Sequence, residues 1–77
     1  MEQTLGQKRV KAEFNPAKDA HVDVIKNKCA EIIDLLEEMR TLEPGPSGSP
    51  EKQRLISIAQ TDIETACMYA VKANFTE

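Results

Sequence analysis

The stretch "EPGPSGSP", Glu43–Pro50, places three prolines and two glycines within eight residues. A helix cannot pass through it, because proline removes a backbone donor and clashes with the preceding turn, while glycine adds conformational freedom. On each side lies a segment with the period of a helix. Across 77 residues this leaves room for one domain at most, with two long helices and a connection between them.

The first segment follows Pro16 and has Asp19 as a candidate N-cap. Val22, Ile25, Cys29, Ile32, Leu36 and Met39 recur at alternating spacings of three and four, the pattern of a seam widened by Ile33 and Leu35. The second opens at Ser49, a candidate N-cap, with Pro50 in the first turn, where a missing N–H is harmless. One of its faces carries Leu55, Ala59, Ile63, Ala66, Ala70 and Ala73, mostly small side chains that permit close helix approach, and Ile56, Cys67 and Val71 form a strip beside it. The resulting expectation is an all-α chain. It has a basic lead-in over 1–18, non-helical or partly helical, then a helix over 19–42, a hinge over 43–50 and a helix over 50–74.

A lone two-helix hairpin is too small to be stable. Ordering costs about 1.5 kcal/mol per residue, and one seam returns little more than that. From about Ile63 onward the second helix is apolar on too many sides for one partner. Cys29 and Cys67 sit inside helical patterns with no CxxC or Cys/His spacing, so they read as reduced core residues rather than as a disulfide or metal staple. Self-association is the remaining route, and an antiparallel hairpin that assembles into a homo-oligomer is predicted.

Charge is distributed unevenly. The chain carries −3 overall, which disfavours a general binder of DNA or RNA polymers, since those rely on many cationic phosphate contacts. Residues 1–29 hold six basic residues against four acids, a balance of +2, and the remainder is −5. Such a segment is either a solvated basic tail or a localised site for a small anion. No apolar run approaches a membrane span, and the opening residues lack a signal-peptide core, so a cytosolic protein is expected.

Catalytic chemistry has little support. His21 is the single histidine, with no nucleophile placed to pair with it; beside Asp19 and Asp23 it reads as a capping or solvated residue before it reads as half of a metal site. Gly45 and Gly48 belong to the hinge and form no phosphate loop. Neither an enzyme, a metal nor a cofactor is expected. What stands out is Phe14-Asn15-Pro16, one of three aromatic residues set in the lead-in, followed by Lys26 and Lys28 on the first helix. A flat ring, an amide, a rigid proline and fixed cations are what a nucleotide base and its phosphate require. The competing reading makes Phe14 a hydrophobic staple for the first helix.

Read together, "KRVKAEFNPAKDAHVDVIKNKCAEIIDLL" and "EKQRLISIAQTDIETACMYAVKANF" resemble the phage anti-CBASS cyclic-nucleotide sponges, whose helical-hairpin domain is related to that of the anti-Thoeris sponges. The pieces that carry the resemblance are Arg9-Val10, Phe14-Asn15-Pro16, Val22 with Ile25-Lys26, Ile33-Asp34, Arg54-Leu55, Thr61 with Glu64-Thr65-Ala66, and Met68–Ala73. The resemblance implies a homohexamer in the cytoplasm of an infected bacterium. It would sequester cyclic oligonucleotide messengers without cleaving them, dinucleotides such as cGAMP between protomers and trinucleotides in separate pockets. By position it makes Phe14 the stacking ring and Lys26 the phosphate contact of the dinucleotide pocket, with Asn15 and Pro16 beside them. Arg54 would serve the trinucleotide pocket, where the position aligned with the family's hydroxyl residue is Lys28. The alternatives from other classes are a helical-bundle interaction or regulatory protein with no nucleotide ligand and, more remotely, a cyclic-nucleotide hydrolase.

Overall fold

The computed structural model describes residues 2–41 and 49–77, so most of the hinge expected over 43–50, and Leu42 before it, lie outside the described residues. Among the described residues three helices form, α1 (Leu5–Val10), α2 (Ala20–Thr41) and α3 (Pro50–Asn74). Among the described residues there is no strand, and no helix is long and apolar enough to cross a membrane.

Local chemistry sets the helix starts. Asp19 Oδ1 accepts from the backbone N–H groups of His21 and Val22 at 2.8 and 3.2 Å, satisfying two donors at the start of α2. Those bonds, that to Val22 foremost, hold the Asp19 carboxyl below its ordinary range. Ser49 Oγ accepts from Lys52 N at the start of α3, with Pro50 in the first turn. The short α1 has a full capping box: Thr4 Oγ1 accepts from Gln7 N at 3.1 Å, and Gln7 Oε1 accepts from Thr4 N at 2.8 Å.

The two long helices run antiparallel, and polar side chains fix their register. Gln60, only 2% exposed, donates from Nε2 to Ile33 O at 3.2 Å and to Glu37 Oε1 at 3.0 Å. Arg40 extends the network from the same side. It donates to Glu37 Oε1, Gln53 Oε1, Ser57 Oγ and Gln60 Oε1, each within 2.9 Å. Among the described residues no buried side-chain nitrogen or oxygen lacks a partner, so the network contributes specificity without an unpaired group.

Two sequence expectations are corrected. The α2 seam is rotated: Val22, Lys26, Ala30 and Ile33 are buried, whereas Ile32 and Met39 are exposed. On α3 the strip against α2 is Ile56, Gln60 and Cys67, and Leu55 and Ala66 of the small-residue face point outward. The physical reason is α1, which competes for the same side of α2. Val10 of α1 joins Ala30, Ile33 and Cys67 in one core, with Leu5, Ile25, Cys29 and Ile63 packed around it. Close approach depends on Gly6. A Cβ there would stand 2.1 Å from Ala30 O, and the Gly6 N–H donates to Asp34 Oδ1 at 2.7 Å.

Gly6→Ala should therefore push α1 off α2 at a cost of roughly 1–3 kcal/mol or more, a fall of at least several degrees in melting temperature for a domain this size. An unchanged melting curve would contradict the packing. The register network should also respond to acid. Its bond from Gln60, and then that from Arg40, lower the Glu37 pKa from 4.5. A depressed carboxylate contributes stability that is fully present above its unfolded value and is lost as pH falls through the folded one. Melts of wild type and Glu37→Gln should differ at neutral pH, and the gap should close below about 4.5. A constant gap down to pH 3 would contradict this assignment.

Candidate ligand-binding site

The loop between α1 and α2 carries the sequence-predicted aromatic. It begins at Lys11, the C-cap of α1, in the left-handed region at φ 54°, and it has a second such residue at Lys18, φ 52°. Neither is a glycine, so each position is strained by about 1–2 kcal/mol and has to be held by its surroundings.

Lys26 and Asn15 hold it. The Lys26 ammonium rises from α2 and donates to Lys11 O at 3.0 Å and to Phe14 O at 2.5 Å. Asn15 braces the other end, donating from Nδ2 to Asp19 O and Asp23 Oδ1 at 2.8 and 3.0 Å and accepting from Asp19 N at 3.1 Å. Its amide is thus engaged with the loop and the start of α2. Pro16 is exposed.

Phe14 is 65% exposed, with the Lys26 ammonium 5.5 Å from its ring centroid. A ring this open is not a staple packed on a helix. It presents a face, polarised by a nearby cation. Lys26 differs from the edge position that its place in the helical pattern implies: it is 7% exposed, its stem buried beneath the loop.

Two cavities lie on either side of Lys26 and share it and Val71 as a common wall. The smaller, about 200 Å3, is bounded by Phe14, Asn15, Pro16 and Ala17 of the loop together with Val22 and Phe75. The larger, about 370 Å3, is bounded by Arg9, Val10 and Lys11 of the first helix and by Glu64, Cys67 and Met68 of α3. Phe14, Asn15, Pro16 and Lys26 are therefore brought together on the lining of the smaller cavity.

Arg54 and Lys28 are not brought together within one protomer. Arg54 is exposed near the start of α3 and forks onto Glu51 at 2.6 and 2.9 Å. That pairing raises the arginine pKa and lowers the glutamate's. In the register set by Gln60 against Ile33, Lys28 and Arg54 are offset by about 16 Å along the helix axes. Val71, on the shared wall, is about 26 Å along α3 from Arg54.

Arg9, Lys11, Glu64, Met68, Val71 and Phe75 were not singled out from sequence as site residues. The signal that locates Arg9 and Lys11 is the Thr4-Leu5-Gly6-Gln7 capping box, which predicts a helix ending in those cations. Nothing comparable marks the α3 residues, because which side of α3 faces the loop depends on the register.

The Cys67 thiol on the larger cavity's wall is not an activated nucleophile. Burial, and then the neighbouring Cys29, push the Cys67 thiol up to about 11, so it is un-ionised at neutral pH. His21 is exposed, and among the described residues no group of three or more His, Cys, Asp or Glu could hold a metal ion. What the arrangement can do is bind a flat, anionic molecule.

Residues 6–75 match the family model described as Acb2/Tad1, hairpin domain. The chain belongs to this family. The Acb2/Tad1 family is that of the phage anti-CBASS and anti-Thoeris sponges, proteins that take up cyclic nucleotide signals. The match runs from the glycine that seats α1 to Phe75 at the end of α3, so it spans the lining of both cavities. Comparison with curated proteins and with solved structures gave no significant match.

Lys26→Met keeps the buried stem and removes both bonds to the loop carbonyls. It should cost about 1.5–3 kcal/mol, the worth of hydrogen bonds to a charged group, and Lys26→Arg should recover part of the loss. Protease cleavage within residues 11–18 should accelerate in Lys26→Met. Equal cleavage rates in both proteins would show that the ammonium does not hold the loop.

Proposed function

We propose that this protein is a sponge for cyclic dinucleotides, binding them without cleavage and so keeping CBASS-type anti-phage defence silent in the cytoplasm of an infected bacterium. The observation that carries this reading is the open Phe14 ring, held beside a cation at the mouth of a cavity, in a chain of the Acb2/Tad1 family. The ring supplies the stacking platform and the basic residues around it supply the phosphate contacts.

The working form is a homo-oligomer, a hexamer by the family resemblance. In support, α2 and α3 leave Ile32, Leu35, Leu55, Ile58 and Tyr69 exposed, apolar side chains that a partner copy would cover. Cyclic trinucleotides are a second ligand class in this reading, held where Arg54 and Lys28 of different subunits converge, since one protomer keeps them apart. No catalytic group, metal or cofactor takes part, and the messenger is to be recovered whole.

Cyclic GMP-AMP incubated with the protein should vanish from the free pool and return intact after heat denaturation; linear or mononucleotide products formed in proportion to protein would overturn the sponge. Phe14→Ala should weaken binding by about 1–3 kcal/mol per stacked base, five- to over a hundredfold in dissociation constant, at an unchanged melting temperature because the ring is largely outside the core. Full affinity in a folded Phe14→Ala protein would remove the stacking platform from the site.

A further inference from the structure

The two cavities that meet at Lys26 differ in charge. The smaller one holds the aromatic platform and has Lys26 as its single ionisable wall residue. The larger one has three cations, Arg9, Lys11 and Lys26, against one acid, Glu64. Lys26 spends two of its three N–H donors on carbonyls and is 7% exposed, whereas Arg9 and Lys11 are the exposed cations of this wall. Lys11 also lines a shallow depression together with Phe14, which places it between the ring and the larger cavity.

Arg9 is held loosely. Its Nη1 lies 3.9 Å from Glu64 Oε1, the long limit of an ion pair, with both side chains more than a third exposed. A pair of this kind is worth little in water. A phosphodiester offers Arg9 a better partner, since the guanidinium fork matches two phosphate oxygens. Met68, exposed on the same wall, adds an apolar, adaptable surface for a ribose or base.

We propose that the two cavities form one bipartite site. The Phe14 side takes a base, Arg9 and Lys11 take the phosphodiester in the larger cavity, and Glu64 is the resident counter-anion that the ligand displaces from Arg9. This rests on the cyclic-dinucleotide reading above and adds its phosphate-binding residues. The assignment makes Arg9 and Glu64 act on affinity in opposite directions, which distinguishes it from a simple structural ion pair.

The test is calorimetric titration of cyclic GMP-AMP into the full-length wild type, Arg9→Gln, Lys11→Met and Glu64→Gln, with a melting curve for each. Arg9→Gln should weaken binding about ten- to a hundredfold, the range for a lost charge-assisted contact, and Lys11→Met should weaken it as well. Glu64→Gln should tighten binding about two- to fivefold, because the competing charge is gone. Melting temperatures of Arg9→Gln and Glu64→Gln should fall equally and slightly. Wild-type affinity in Arg9→Gln, or equal weakening in Arg9→Gln and Glu64→Gln, would overturn the bipartite site while leaving the sponge intact. Failure of the wild type to bind any cyclic dinucleotide would overturn both.

Discussion

The arrangement of this small protein depends on a polar contact in an otherwise apolar seam. Gln60 sits almost fully buried between α2 and α3, donating to a backbone carbonyl of α2 and to Glu37, while Arg40 gathers Glu37, Gln53, Ser57 and Gln60 around one guanidinium. Apolar side chains can slide past one another by a turn at modest cost. A buried amide with several geometrically fixed partners cannot, because each lost bond leaves a desolvated polar group. That register places Val71 and Phe75 beside the loop and Glu64 and Met68 opposite the first helix. Both cavity walls follow from it.

The second constraint is the seating of α1. With six residues, α1 has no stability of its own. It is held because Gly6 lets its backbone approach Ala30, because Asp34 accepts one of its unpaired N–H groups, and because Val10 enters the core. Its end is then tied down by the Lys26 ammonium across the strained Lys11 turn. The same ammonium holds Phe14 through its carbonyl, so a single buried lysine connects core and loop.

The division of polarity along the chain would suit the ligand-capturing oligomer proposed above. Cations are gathered where α1, the loop and the start of α2 meet, while the distal part of α2 carries an excess of acids, α3 balances three acids with three bases, and both long helices expose apolar side chains. Assembly would cover those side chains and bring further copies of each basic region into proximity. In such an assembly a modest number of cations per chain would suffice for a concentrated anion site.

Much of this was legible in the residues themselves. The helical periods and the Ser49 and Asp19 caps depend on neighbours a few positions apart, which a sequence displays directly. The conspicuous Phe14-Asn15-Pro16 stretch and Lys26 were also readable, because an aromatic outside a helical stripe and a cation near a helix start are local signals. Only the tertiary structure decided which face of each helix is buried. Periodicity allowed seams one residue apart, and the choice between them was made by α1 docking through Gly6 and by Gln60 pairing across the hairpin, both long-range contacts. The same contacts decided that Lys26 is buried under the loop rather than at its edge, and that Arg9 and Lys11 face Glu64 across a cavity. A sequence lists these charges; their placement comes from the close approach of two backbones and the register of two helices.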